Sequence, residues 1–166
     1  MEPAETITVF YTAFGQRDHV AMAACYHPDV RFSDPVFEDL EGDEARAMWH
    51  MLCEQGRDLE VTVAGIQGDD TSGQAHWEAT YTFSPTGRTV HNKIDATFQF
   101  EDGLIKEHTD TFDLWAWTRM ALGPIGYATG WMNLSKDKVR EAGEVQLTRF
   151  LESHPEYQTT RRPSGD

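Results

Sequence analysis

Val90-His91-Asn92-Lys93-Ile94-Asp95-Ala96-Thr97-Phe98-Gln99-Phe100 alternates inward-type and polar residues without a break. A period of two puts Val90, Asn92, Ile94, Ala96, Phe98 and Phe100 on one face of a long strand, and His91, Lys93, Asp95, Thr97 and Gln99 on the other. The first face meets a core; the second meets solvent or another subunit. Leu59, Val61 and Val63, then Trp77, Ala79, Tyr81 and Phe83, repeat the pattern upstream. Between these runs lie Gly68-Asp69-Asp70-Thr71-Ser72-Gly73, Ser84-Pro85-Thr86-Gly87 and Glu101-Asp102-Gly103, rich in residues that tight turns require. The centre of the chain therefore reads as antiparallel strands joined by hairpins.

Nearer the N-terminus the period becomes helical. Ile7, Phe10, Tyr11 and Phe14 share one helix face, and Gly15 suits the helix end. Asp18 is the expected cap of a second helix reaching about Tyr26, after which His27-Pro28-Asp29 turns the chain into a strand through Val30 and Phe32. Beyond an acidic loop, Glu38 to Glu41, a third helix opens at Gly42-Asp43-Glu44 and places Ala45, Met48, Trp49, Leu52 and Cys53 on one face. After the strands, Asp113 is placed to cap a helix through Leu114, Trp115, Trp117, Met120 and Leu122, which Gly123-Pro124 ends. Ser135 is placed to cap a last helix carrying Val139, Ala142, Leu147, Phe150 and Leu151.

At 166 residues and 39% hydrophobic, the chain can bury one core. Fourteen basic against 28 acidic residues give a net charge of −14, which repels phosphate backbones and anionic headgroups, so neither nucleic acid nor membrane is an expected partner. No apolar run approaches the roughly 20 residues of a membrane span, and Met1-Glu2-Pro3-Ala4-Glu5 lacks the basic start of a signal peptide. The cytoplasm is the expected compartment. Cys25 and Cys53, without CxxC spacing, read as core residues. His19, His27, His50, His76 and His154 lack metal-ligand spacing with one another, and no phosphate loop is present, so neither metal nor cofactor is expected.

Two stretches carry chemistry: Arg31-Phe32-Ser33-Asp34-Pro35-Val36-Phe37, and Gly103-Leu104-Ile105-Lys106-Glu107-His108-Thr109-Asp110-Thr111-Phe112-Asp113. Each sets a lone carboxylate on the apolar face of a strand, where a bare charge is costly unless something uses it. If Leu104, Lys106, His108, Asp110 and Phe112 share the inner face, His108 and Asp110 become neighbours, and a carboxylate beside an imidazole in low dielectric is a proton-transfer pair. A register one residue away turns Glu107 and Thr109 inward instead. An Asp-Pro at a strand end also serves as a turn device whose carboxylate accepts backbone N–H groups. Trp49, Trp77, Tyr81, Phe98 and Phe112 supply flat apolar walls for a ring-containing ligand.

The order helix, helix, strand, helix, then four antiparallel strands, with Asp34-Pro35 closing the first strand, resembles the NTF2-like superfamily over about residues 5–117. Phe10-Tyr11-Thr12-Ala13-Phe14, Ala21 to Cys25, Val30 to Val36, Phe98 to Ile105 and Asp110 to Asp113 carry the resemblance. It implies an α+β fold: a cone of strongly curved, mainly antiparallel sheet around three N-terminal helices, with extra C-terminal helices. The expected organisation is a SnoaL-like domain over 1–117, a helical extension packed on the same domain over 118–155, and a flexible tail over 156–166. Trp115, Trp117, Tyr127 and Trp131 would be costly to expose, so the extension is expected over the cone mouth or in a dimer contact.

The resemblance further implies a cofactor-free enzyme acting on a small hydrophobic molecule of cyclic-ketone, polyketide or terpenoid type, by proton transfer or water activation. Asp34, His108 and Asp110 would be catalytic. Phe10, Tyr11, Phe14, Trp49, Trp77, Tyr81, Asn92, Phe98 and Phe112 would bind the ligand, and a homodimer would form through the outer sheet face. The alternative is a non-catalytic binding protein or a dimeric interaction module on the same fold. Asp34 matches the general base of ketosteroid isomerases, whose oxyanion-donating tyrosine falls on Phe10, with Tyr11 one step round the helix, and whose protonated aspartate falls on Ala96. Asp110 resembles the water-activating aspartate of limonene epoxide hydrolases, whose arginine and second aspartate fall on Ala79 and Tyr81. SnoaL-type cyclases use an acidic residue in the same region of the last strand.

Overall fold

The computed structural model describes residues 1–128 and 136–158 of the chain. Helices α1 (Pro3–Gly15), α2 (His19–Ala24) and α3 (Asp43–Gln55) pack against the inner face of a six-stranded sheet. Its strands are β1 (Tyr26–Ser33), β2 (Leu40–Glu41), β3 (Glu60–Gly68), β4 (Ser72–Phe83), β5 (Arg88–Glu101) and β6 (Leu104–Thr111), in the order β2-β1-β6-β5-β4-β3. All neighbours are antiparallel except β1 and β6. Helices α4 (Leu114–Ala128) and α5 (Lys136–Ser153) and a 3₁₀ turn, Pro155–Tyr157, complete the chain. The architecture is α+β, a curved and unclosed sheet wrapped on helices, as the resemblance implies.

The sheet curves where its register slips, because one extra residue on a strand bends it and increases its twist. Slips occur between Ala64 and Gln67 of β3, between Gln99 and Phe100 of β5, and between Tyr26 and Arg31 of β1. The last lies where a turn is expected. Instead β1 begins at Tyr26 and runs through Pro28, and the Arg46 guanidinium of α3 donates to the carbonyls of Tyr26, His27 and Pro28. The expected acidic loop also contributes a strand, since Arg31 pairs with Glu41 and Phe32 with Leu40.

On β5 the expected inner face is the one buried: Val90, Asn92, Ile94, Ala96, Phe98 and Phe100. On β6 the alternation fails once. The bulge shifts the phase at Lys106, so that Ile105 rather than Leu104 is buried, and His108 and Asp110 then face inward. Asp18 and Asp113 both cap, accepting the Ala21 and Ala116 N–H groups at 3.0 Å. Cys25 and Cys53 are buried free thiols, their pKa values pushed up to about 11 by burial, which suppresses the reactive thiolate.

The helical run from Leu114 breaks at Gly123-Pro124, as expected: Gly123 takes a non-helical φ of 50° and ψ of −147°, and a second helical segment follows to Ala128. Before the break, α4 lies on the β4–β5 hairpin, where Trp117 Nε1 donates to the Tyr81 hydroxyl at 2.7 Å and Arg88 Nε to the Met120 carbonyl at 2.9 Å. Helix α5 packs on α3 and on the loop after β1. It adds Leu147 and Phe150 to the core, although Ala142, expected on its apolar face, is exposed. At Gly143 the approach is so close that a Cβ would sit 2.7 Å from Val36 Cγ1. Ser135, Trp131, the Tyr127 side chain and the tail beyond Gln158 lie outside the described residues. No helix among the described residues is long and apolar enough to cross a membrane.

Candidate functional site

Alternation on β6 carries His108 and Asp110 to the floor of the cone, where both are buried. His108 Nε2 lies 2.9 Å from Asp110 Oδ1, and His108 Nδ1 lies 2.8 Å from the Tyr26 hydroxyl. That hydroxyl accepts from Trp49 Nε1 at 2.7 Å, and Trp77 Nε1 reaches Asp110 Oδ1 at 3.4 Å. One arrangement of protons satisfies the whole chain: Trp49 N–H to Tyr26, Tyr26 O–H to His108 Nδ1, and His108 Nε2–H to the Asp110 carboxylate. Tyr26 was not among the expected site residues. It sits at the end of a helical run in the sequence, and only the early start of β1 turns its hydroxyl toward β6.

The expected ligand-lining rings surround this network. Phe98, Phe10 and Trp49 stand with ring centroids 4.4, 5.5 and 5.7 Å from that of His108. Phe14 and Tyr11 contact Trp77 at 5.6 and 5.4 Å. Tyr81 lies apart from them, bonded to Trp117, and Asn92 is buried opposite Ala79 in the β4–β5 ladder. Among the described residues, the Tyr11 hydroxyl is the buried side-chain polar group without a hydrogen-bond partner. Burial, and then the charge of nearby Asp110, hold its pKa well above the usual tyrosine value against a smaller opposing pull from the Trp77 N–H, so it stays a neutral O–H donor.

Asp34 closes β1. Its Oδ1 accepts the Val36 and Phe37 N–H groups at 2.7 and 2.6 Å, and its own N–H donates to the Phe37 carbonyl at 2.8 Å. The Asp-Pro therefore does shape a turn. Burial nevertheless outweighs those donors, and with Asp110 adding repulsion the Asp34 carboxyl is pushed up to about 7. Immediately outside lies a cleft of about 240 Å³ lined by Pro35, Phe112, Asp113, Leu114, Trp115 and Arg140. Arg140 of α5 donates from Nε to the Pro35 carbonyl at 3.1 Å and pairs with Glu38 at 3.0 Å, so the extension forms one wall of the cleft. Arg140 and Trp115 are further residues that the expected site left out.

The outer face of the sheet is a ladder of titratable groups. His76 contacts Asp95 at 2.8 Å and Glu78 at 3.2 Å, and His91 contacts the other oxygen of Glu78 at 2.5 Å. Asp95 is thus bonded outward, behind the buried Ala96.

The sequence model of the SnoaL-like domain matches residues 7–108, more than half of the chain. This protein belongs to the SnoaL-like family. Solved structures agree on the fold. A candidate SnoaL-like polyketide cyclase from Jannaschia sp. CCS1 superposes with a TM-score of 0.65 at 20% identity, over 74% of this chain and 94% of its own. An LEH-like epoxide hydrolase from M. tuberculosis gives 0.60 at 18% identity, over 77% and 96%. TsrD from Streptomyces laurentii gives 0.62 at 25% identity, over 72% and 92%. No curated protein sequence matches the chain.

Proposed function

We propose that this SnoaL-like protein is an acid/base enzyme that moves a proton next to the carbonyl of a small, largely apolar molecule. The observation that carries the reading is the Tyr11 O–H, buried beside Asp110 with no acceptor of good geometry, Trp77 offering it only an N–H. An orphan donor in a dry site costs about 1–3 kcal/mol, and oxyanion stabilisation is a use that repays it. Asp34, pushed up to about 7, is matched to accepting a carbon-bound proton and returning it near neutral pH. The electron pair then moves to the carbonyl oxygen, which Tyr11 holds. Asp110, positioned by His108 and Trp77, adds its charge to the burial that raises both groups. The cleft is smaller than the roughly 300–1,000 Å³ of drug-sized sites, which favours a small ring such as a cyclic ketone or enone. Pro35 and Phe112, close in sequence to Asp34 and Asp110, line the cleft, and their displacement is the proposed entry step.

The test is α-hydrogen exchange of cyclic ketones in D₂O, followed by NMR. Tyr11→Phe is expected to slow exchange about 10²-fold while leaving the fold as stable or more stable, because it deletes an orphan hydroxyl. Wild-type exchange no faster than buffer across the panel would sink the enzyme reading, and the absence of ligand-induced shifts as well would sink both. A second reading, binding without turnover, is favoured by the two backbone donors on Asp34 and by the rings that fill the cone; it predicts ligand-induced shifts with no exchange. In either case we place a homodimer contact on the His76–Glu78–His91–Asp95 face. Sedimentation equilibrium showing a monomer at all concentrations would remove that contact.

A further inference from the structure

We propose that His50, Glu54 and His154 form a site for a divalent transition metal of the Zn²⁺ class, which fastens the C-terminal extension to α3. His50 and Glu54 are one helical turn apart, but the second histidine, His154, lies far along the chain, which is why spacing among the histidines predicted no metal. Folding brings them together: His50 and Glu54 share one face of α3, with Nε2 and Oε1 3.1 Å apart. His154, at the end of α5, points Nε2 at the same Glu54 oxygen from 4.0 Å. All three donor atoms lie within 4.8 Å of one another. Two imidazoles and a carboxylate suit Zn²⁺, Co²⁺ or Ni²⁺, with water completing a tetrahedral shell.

The rings are oriented as ligands. His154 Nδ1 lies 2.8 Å from the Phe150 carbonyl, which can only accept, so Nδ1 carries the proton and the Nε2 lone pair faces Glu54. In the neutral ring the Nε2 lone pair faces a carboxylate oxygen, an opposition that a bound cation relieves. His50 Nδ1 lies 2.9 Å from the Tyr157 hydroxyl, which leaves Nε2 for the metal. Packing holds both rings: His154 stacks on Phe150 at 3.8 Å and His19 stacks on His50 at 3.4 Å. Metal–ligand bonds of about 2.0–2.2 Å require donors about 3.3–3.5 Å apart, so Glu54, exposed and free to swing, must draw in.

A contrast sharpens the assignment. His27, Glu101 and Asp102 also cluster, but Lys106 Nζ stands 3.2 Å from His27 Nδ1 and 3.4 Å from Glu101, so an ammonium already fills the cation position there. Because α5 carries Leu147 and Phe150 into the core and Arg140 to the cleft wall, a metal at its end would fasten that wall.

The experiment titrates the full-length, EDTA-stripped protein with Zn²⁺ by calorimetry and with Co²⁺ by visible absorption. One equivalent is expected to bind with a tetrahedral Co²⁺ spectrum. His154→Ala and Glu54→Gln should each weaken binding about 100-fold, and Tyr157→Phe about 10-fold. His27→Ala should leave binding unchanged. Saturating Zn²⁺ should slow proteolysis within α5 in the wild type and not in Glu54→Gln, whose exposed position keeps it folded should His154→Ala fail to fold. Binding that survives both Glu54→Gln and His154→Ala undiminished, or a wild-type protein that leaves the Co²⁺ spectrum unperturbed, would overturn the site.

Discussion

Asp34→Asn is expected to be more stable than the wild type above pH 7 and to lose about 10²–10⁴-fold in proton-transfer rate. Asn keeps an oxygen for the Val36 and Phe37 N–H groups, so the turn survives. What it removes is a buried carboxyl pushed up to about 7, against about 3.9 in the unfolded chain. A raised carboxyl keeps its proton in the folded state where the unfolded chain has already released it. The stability it contributes is therefore full below about pH 4, falls as pH rises through about 7, and is flat above. At about 1.4 kcal/mol per pH unit the loss reaches at most about 4 kcal/mol. Unfolding free energies of the two proteins from urea titration should coincide near pH 4 and differ by about 2–4 kcal/mol at pH 8. A gap of the same size at every pH would mean that Asp34 is ionised throughout and serves the turn alone. The wild-type rate should rise through about pH 7, as the base form appears.

The parts of this fold legible in the sequence are those set by neighbours along the chain. Alternation from Val90 to Phe100 decides a strand face because a pleated backbone offers only two sides. Asp18 and Asp113 announce helix starts because a cap acts over three residues. The misreadings come from contacts the chain makes at a distance. Pro28 reads as a break until Arg46, from α3, gathers the carbonyls around it and lets β1 begin at Tyr26. The phase of β6 depends on a bulge that only pairing with β5 reveals, and it exchanges Leu104 for Ile105 in the core while leaving His108 and Asp110 inward.

At the candidate site the same division holds. Two residues of separation made His108 and Asp110 readable as a pair, whereas Tyr26 joins them across 82 positions. Arg140 reaches Pro35 across 105. Three of the rings expected to line a ligand space, Phe10, Trp49 and Phe98, pack on His108 instead, since alternation reports which face is inward and not whether the interior holds a void.

The His108–Asp110 pair should behave as one unit in a double-mutant cycle. His108→Leu strands a buried carboxylate that keeps only the 3.4 Å Trp77 contact, and leaves the Tyr26 hydroxyl without its acceptor. A loss of about 3–5 kcal/mol is expected, the usual cost of removing one partner from a buried pair. Asp110→Leu leaves an imidazole N–H unpaired and should cost about 1–3 kcal/mol. Because replacing both members of a buried pair by apolar groups restores a dry core, His108→Leu/Asp110→Leu should be more stable than His108→Leu alone. Denaturant unfolding of the four proteins gives the coupling directly, and additive losses would show that the two side chains act separately. If the second substitution rescues stability while proton transfer stays at background, the pair is dispensable to the fold. Its place in the core is then explained by the field that Asp110 exerts on Tyr11 and Asp34.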